Sequence, residues 1–237
     1  MTSLVSVVLP IHNERDNLPG VIGEIRQALA AIPHEIIAVD DGSDDGSRAA
    51  LDCLRGGGDL RVIALEQRSG QSAAFAAGFD AARGAVLVTL DADGQHDPAD
   101  IPRMLTLLES PSQPAAVVGF RVPRADSAWK RMQSRVANAV RDLITGDEVR
   151  DSACSLRVMR REAVMRLPRF DGMHRFLPSL LRFQGGTIIE VPVAHRRRRH
   201  GRSKYGMLDR AGRGLVDAFG VRWLRRRRLR YEGAATC

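Results

Sequence analysis

A chain of 237 residues, 44% hydrophobic and free of low-complexity tracts, can bury one substantial core, so a single domain is the expectation. No apolar run approaches the ~18 residues that cross a bilayer, and Met1 to Pro10 lacks the basic start and cleavage site of a secretory signal, so a cytosolic protein is expected. The net charge of +8 conceals a division: residues 1–118 carry 8 arginines and no lysine against 17 acids, a balance of −9, whereas residues 119–237 carry 28 basic residues against 11 acids, a balance of +17. An acidic first half suits a bound metal, and a basic second half suits phosphate, in a substrate or on a membrane surface.

Leu4 to Leu9 reads as an apolar strand ending at Pro10-Ile11-His12-Asn13-Glu14, and an amphipathic helix from Glu14 to Ala31 follows. The next strand, Ile36 to Val39, ends on Asp40-Asp41-Gly42-Ser43, a loop that can accept hydrogen bonds from a base edge and a ribose or can form an ordinary Asx-rich turn. A third strand, Leu60 to Leu65, leads through Ser69-Gly70-Gln71-Ser72 into a helix over Ala73 to Ala82. The fourth, Ala85 to Leu90, is continuously apolar but for Thr89 and runs straight into Asp91-Ala92-Asp93-Gly94-Gln95. Alternate side chains of an extended segment point the same way, so Asp91 and Asp93 can converge on one Mg2+ or Mn2+ ion, with Gln95 as a third oxygen donor. Substrate phosphates usually complete such a site, and a nucleoside diphosphate is the natural third party; a solvated Asp-rich turn fits the same string.

Asp97-Pro98 starts a further helix with an N-cap acid and a proline at its first position, and a fifth strand, Ala115 to Gly119, ends at Arg121. Strands alternating with helices at this spacing predict an α/β fold, a mostly parallel sheet with helices on both faces, whose ligands bind beyond the carboxyl ends of the strands. Those ends carry Glu14, Asp41, the Asp91/Asp93 pair and Arg121. No Gly-x-Gly-x-x-Gly follows the first strand, which argues against a dinucleotide held on a helix terminus.

In the second half, Trp129, Met132, Val136, Val140 and Ile144 mark a helix over Ala128 to Ile144, with Lys130 and Arg131 off its apolar stripe. Ile188 to Val193 reads as a strand. His195 to His200 is too basic to fold tightly without an anion and is expected to stay mobile until phosphate arrives. Gly201-Arg202-Ser203-Lys204 offers a turn, a hydroxyl and an ammonium suited to one phosphate. Leu208, Ala211, Leu215, Phe219 and Trp223, with Arg210, Arg213, Arg222 and Arg225 to Arg228 around them, predict an amphipathic basic helix. It can lie in a membrane interface, pack on its own domain or dock on an integral membrane partner. Cys53, Cys154 and Cys237, odd in number and without metal-ligand spacing, are expected to be reduced thiols.

Val7-Val8-Leu9-Pro10-Ile11-His12-Asn13-Glu14, Val39-Asp40-Asp41-Gly42-Ser43, Gly70-Gln71-Ser72-Ala73-Ala74, Asp91-Ala92-Asp93-Gly94-Gln95 and Gly119-Phe120-Arg121 stand in the order found in inverting family-two glycosyltransferases of the GT-A fold, which the chain resembles. Lys130-Arg131 with Ser134, Asp151 to Arg157, His174-Arg175-Phe176-Leu177-Pro178, and Arg198 to Tyr205 resemble the polyprenyl-phosphate, or dolichyl-phosphate mannose synthase-like, branch. His12 stands where Tyr is common, and Ser155 where Gly is frequent. The resemblance implies a GT-A domain over 1–206, with 1–118 as the nucleotide-sugar and metal half and 119–206 as the acceptor half, while the basic amphipathic pattern makes 207–237 a tail expected to be membrane-peripheral.

It further implies nucleotide-sugar contacts from Pro10, His12, Glu14, Val39, Asp41, Asp91, Ala92, Asp93, Gln95, Arg121, Arg198 and Lys204, and a Mg2+ or Mn2+ ion on Asp91, Asp93 and Gln95. Catalysis would rest on Asp91, Asp93, Arg121 and Lys204, and the acceptor phosphate on Lys130, Arg131 and Ser134. The implied reaction moves one sugar from GDP-mannose or a UDP-hexose to a polyprenyl (dolichyl or undecaprenyl) phosphate, with inversion and release of nucleoside diphosphate, at the cytoplasmic face of a membrane. A phosphate acceptor is already anionic and needs no general base, whereas a glycan or glycolipid hydroxyl, the other acceptor class, needs a positioned carboxylate. The basic composition also suggests nucleic-acid binding, against which stand 5% aromatics and the lack of zinc spacing or an RNA-binding aromatic motif. The expected partners are therefore a nucleotide sugar, the lipid phosphate and a membrane surface or membrane protein, with no nucleic acid.

Overall fold

The computed structural model describes residues 3–121, 146, 149–200 and 207–227, the last with side chains from 216 onward. The helix expected over 128–144, with Lys130, Arg131 and Ser134, lies outside the described residues, as do Lys204 and the tail beyond 227. The chain divides into two units, Met1–Asp126 with Val149–Ser203, and Ser127–Glu148 with Lys204–Cys237.

The first unit holds strands β1 (Val5–Ile11), β2 (His34–Asp40), β3 (Leu60–Ala64), β4 (Val86–Thr89), β5 (Ala116–Arg121), β6 (Arg157–Arg160) and β7 (Ile188–Val193). Between them run helices α1 (Leu18–Ala28), α2 (Ser47–Leu54), α3 (Gln71–Ala81), α4 (Ile101–Leu108), α5 (Arg161–Met165) and α6 (Leu177–Phe183). The strand order is β3-β2-β1-β4-β6-β5-β7. All neighbours are parallel except β6, which runs antiparallel to both β4 and β5. The mostly parallel sheet stands as expected, and β6 is an insertion the sequence pattern did not foresee.

The two faces follow from the period of the strand. Val5, Val7, Leu9 and Ile11 of β1 join Ile36 and Ala38 of β2 in a core with Leu18, Ile22 and Ile25 of α1, Leu51 of α2 and Met104 and Leu108 of α4. The residues between them face the other way, and a Cβ on Gly78 of α3 would collide with Val8 and approach Val39 at 3.3 Å. Helix α3 therefore lies on the opposite face, drawn close by a residue without a side chain. Asp97 caps the chain before α4 as expected, its carboxylate accepting from Ala99 N at 3.0 Å. The second unit contributes one described helix, α7 (Met207–Arg227).

Candidate active site

The carboxyl ends of β1, β2, β4 and β5 bring together residues far apart in sequence. The loops after β1 and β2 interlock: Asn13 N donates to Ser43 Oγ at 3.0 Å, Glu14 N to Ser47 Oγ at 3.0 Å, and Arg15 N to Asp45 at 3.1 Å. Asp40 accepts from Ser43 N at 3.1 Å, an Asx turn, so the turn reading describes Asp40, while Asp45 ties the two loops together. Asp41 does something else. Its carboxylate accepts from Ser69 N at 2.6 Å and Gly70 N at 2.9 Å, pinning the turn that starts α3. The carbonyl of Asp41 pairs with Nδ1 of His12 at 2.9 Å, which requires a proton on that nitrogen. Gly42, at φ +65°, permits the turn, because a Cβ there would stand 2.7 Å from Arg68 N.

At the end of β4 the chain enters the acidic pair. Asp91 N donates to Ser155 Oγ at 3.2 Å, and Thr89 Oγ1 to Ser155 O at 2.6 Å, so the residue that stands where Gly is frequent ties β4 to the approach of β6. Gln71, first residue of α3, donates through its amide to Asp91 Oδ1 at 2.9 Å. Asp93 is buried and accepts from Gln95 N at 3.0 Å and from Arg198 Nη2 at 3.0 Å. The same guanidinium lies 3.4 Å from Glu14. Burial and the neighbouring Asp93 charge push Asp91 up to about 6, against the pull of Ser155, Arg157 and Arg121.

The oxygen-only donor set and the mutual repulsion of Asp91 and Asp93 fit a hard divalent cation. Among the described residues no group of three or more His, Cys, Asp or Glu gathers to hold a metal ion. The side-chain nitrogen of Gln95 turns toward His195 Nε2 at 3.4 Å and the Arg196 carbonyl at 3.5 Å.

Arg121 sits at the end of β5 in a bidentate pair with Asp151, Nε at 2.7 Å and Nη2 at 2.9 Å, while its own backbone N donates to the same carboxylate at 3.1 Å. Arg121 holds Asp151 below the usual carboxylate range, although burial works in the opposite direction. Arg157 of β6 is buried, donates to Ser152 O at 3.0 Å, and feels Asp91 and Asp151 as counter-charges. Val39 is fully buried in the sheet, which leaves only its backbone for a nucleoside; Ala92 is buried as well, and Pro10 pairs in register with Val39.

The basic segment departs from expectation. His195 to His200 is fastened along the site: Arg196 pairs with Glu24 at 2.8 Å and with Asp97, Arg199 with Glu24 at 2.6 Å, Arg198 with Asp93, and the His200 carbonyl accepts from Asn17 at 3.4 Å. Arg196 N also donates to Gln95 O at 2.6 Å, and His96 and His195 form a β-bridge. The anions that let this segment fold are the protein's own carboxylates, so mobility until phosphate arrives is not what the structure displays.

Sequence reasoning assigned no role to Gln71, Asp151, Ser155 or Arg157, although each stood in a quoted motif. Ser72 and His174 are a further such pair, joined at 2.7 Å, with burial pushing His174 down to about 3 and so keeping it neutral.

Paired acids at the carboxyl edge of a mostly parallel sheet, with arginines on its rim, are the arrangement expected of a glycosyltransferase of the GT-A fold. The family model for glycosyl transferase family 2 matches residues 6–167, and the chain belongs to that family. It is 36% identical over 233 residues to a dodecaprenyl-phosphate galacturonate synthase of Rhizobium johnstonii, covering 95% of this chain and 68% of the relative. It is 39% identical over 210 residues to an undecaprenyl-phosphate 4-deoxy-4-formamido-L-arabinose transferase of Pseudomonas aeruginosa, covering 86% of this chain and 61% of that protein. Among solved structures it shares its fold with a mannosyltransferase from Pyrobaculum calidifontis in complex with GDP-Man and Mn2+. There the TM-score is 0.70 at 21% identity, over 93% of this chain and 64% of the other. Glucosyl-3-phosphoglycerate synthase from Mycobacterium tuberculosis, in complex with Mn2+, UDP-Glc and phosphoglyceric acid, aligns with a TM-score of 0.65 at 22% identity, over 92% and 80% of the two chains.

Proposed function

We propose that this glycosyltransferase moves one sugar from a nucleotide-diphosphate sugar to a polyprenyl phosphate, with inversion at the anomeric carbon and release of nucleoside diphosphate. The supporting observation is Asp93, held by Arg198 and close enough to Asp91 to repel its charge, in a chain 36% and 39% identical to two polyprenyl-phosphate sugar transferases. Asp91 and Asp93, with Gln95, are the residues to hold Mg2+ or Mn2+. When bound, the ion offsets negative charge growing on the leaving diphosphate. Arg121, Arg198 and Lys204 add donors for the phosphates, and His12, Glu14 and Asp41 line the nucleoside end, Asp41 by fixing the Ser69-Gly70 turn beside it.

The acceptor reading has its own chemical support. A hydroxyl acceptor needs a base, and Asp151, a carboxylate at this edge, is held by Arg121 with its pKa lowered. A phosphate acceptor needs none, and Lys130, Arg131 and Ser134 are the residues to receive it. Because that acceptor is anchored in lipid, the enzyme works at a membrane surface, on the cytoplasmic face where nucleotide sugars are supplied. Incubation with a panel of radiolabelled nucleotide sugars and a polyprenyl phosphate, followed by lipid extraction, tests the proposal. One donor should yield label in the lipid phase, and label in no lipid fraction with any donor would overturn it.

A further inference from the structure

No step of the proposed transfer uses Ser72 or His174, yet the pair joins two parts of the site's edge. Ser72, the second residue of α3, is buried, and its hydroxyl takes part in two hydrogen bonds: it accepts from Gly172 N at 3.0 Å and meets Nδ1 of His174 at 2.7 Å. His174 belongs to the short helical turn Met173–Arg175, whose Met173 is buried. Asp171, just before that turn, stands 4.0 Å from where a Cβ on Gly70 would sit. The 171–175 segment therefore rests against the turn that Asp41 pins through Ser69 and Gly70.

The hydroxyl sets the direction of the Ser72–His174 bond. Oγ already accepts from Gly172 N, and among the described residues its one proton has no acceptor other than Nδ1. The opposite tautomer would leave that proton buried and unpaired, which is costly. Ser72 Oγ–H therefore donates to Nδ1, and the ring carries its own proton on Nε2. Burial, with the charges of Arg175 and Arg157, keeps the ring neutral, so both members hold fixed roles.

A polar pair does at this place what apolar packing cannot. Ser72, Phe75 and Phe79 follow the three- and four-residue spacing of one helix face, and the two phenylalanines stack with centroids 5.7 Å apart. Apolar contact is non-directional and tolerates small rotations of a helix about its axis, whereas a hydrogen bond is directional. The bond at the head of the stripe thus fixes the rotation of α3 in its first turn. The neighbour in that turn is Gln71, whose amide donates to Asp91 at 2.9 Å.

We propose that Ser72 and His174 are positioning residues for the transfer: by clamping the 171–175 turn to the start of α3, they hold Gln71 on Asp91 and the Ser69–Gly70 turn on Asp41. The metal end and the nucleoside end of the site then keep one spacing. This role rests on the metal reading of Asp91 given above, and the wild-type arm of the test separates the two. Outer partners of a metal-bound carboxylate tune metal affinity by roughly 10- to 100-fold, and a pair one contact further out should act more weakly.

Binding is read from the free-ion EPR signal of Mn2+, alone and with UDP or GDP present, on the full chain well below its melting midpoint. Wild type should bind, and Ser72→Ala and His174→Ala should each bind about fivefold more weakly with unchanged circular dichroism spectra. His174→Asn sets an amide oxygen near the position of Nδ1 and keeps an acceptor for Ser72, so its affinity should stay within about twofold of wild type. His174→Gln reaches the Nε2 position instead and should not rescue. Nitrogen NMR of the labelled imidazole should find the wild-type proton on Nε2, a single-tautomer signature that Ser72→Ala loses. Alanine variants that bind Mn2+ like wild type overturn the proposal, as does rescue by His174→Gln but not His174→Asn, or a wild-type proton on Nδ1. If the alanine variants do not fold, the contrast between His174→Asn and His174→Gln decides together with the wild-type tautomer. Wild type that binds Mn2+ under none of these conditions removes the metal reading and this role with it, whereas binding that all variants share removes this role alone.

Discussion

Replacing Asp151 by Asn tests whether Arg121 is held in place by the carboxylate that grips it. The substitution keeps the shape and removes the charge that accepts from Nε at 2.7 Å, from Nη2 at 2.9 Å and from the Arg121 backbone N at 3.1 Å. Breaking a fully buried pair costs about 3–5 kcal/mol, and an exposed pair is worth under about 1 kcal/mol. The side chains here are 35% and 16% exposed, so an intermediate cost of about 2 kcal/mol is expected. For a chain of this size that lowers the melting midpoint by about 4–8 °C. The sign with pH follows from the lowered pKa of Asp151. Its stabilisation is complete above the ordinary carboxylate range near pH 4 and is lost as pH falls from there through the lower folded value. The gap between wild type and Asp151→Asn should therefore be constant from pH 5 to 8 and close in stronger acid. Circular dichroism melts read that gap, and in initial-rate kinetics the variant should also lose about tenfold or more in kcat/KM as Arg121 is freed from its fixed position. Melts within 1 °C of wild type at pH 7, with unchanged kinetics, would refute the reasoning.

Other substitutions address separate parts of the site. Asp93→Asn should abolish turnover at any Mg2+ or Mn2+ concentration while the melting curve stays cooperative; near-normal activity in added metal would remove Asp93 from the proposed metal site. Gln71→Ala deletes one hydrogen bond to a carboxylate, worth about 1.5–3 kcal/mol, so the melting midpoint should fall by several degrees and kcat/KM should fall as Asp91 loses a positioning contact. Unaltered kinetics would make Gln71 a bystander at the helix start. Glu24→Gln strips Arg196 and Arg199 of a shared partner, two partly exposed pairs worth about 0.2–1 kcal/mol each. Trypsin should then cut between 196 and 199 several-fold faster, and mass spectrometry of the fragments checks this directly.

The parts legible in the sequence were those whose signal is local. Ala85 to Leu90 announces a buried strand, and the Asp pair at its end lies where a parallel sheet binds ligands, so β4 and its acids could be placed from one stretch. Strand β6 carries no such signal. It has four residues, begins and ends on arginine, and lies between β4 and β5 through pairings such as Thr89 with Arg157 that span almost seventy positions. Gln71 looked like an ordinary helix-start residue, because its partner Asp91 is twenty positions on. Composition alone made 195–200 a self-repelling tract, and only folding brings Glu24, Asp93 and Asp97 beside it. The role of Ser155 was hidden for the same reason, since its hydroxyl meets Asp91 N across the sheet edge.

The central claim is that the acceptor is a phosphate on a lipid. The most direct measurement offers the active nucleotide sugar two lipids that differ only in that group, a short-chain polyprenyl phosphate and the corresponding polyprenol, and follows label into the organic phase. The account predicts a labelled, mild-acid-labile product with the phosphate and none with the alcohol. Equal transfer to the polyprenol, or transfer only to a saccharide hydroxyl, would contradict it.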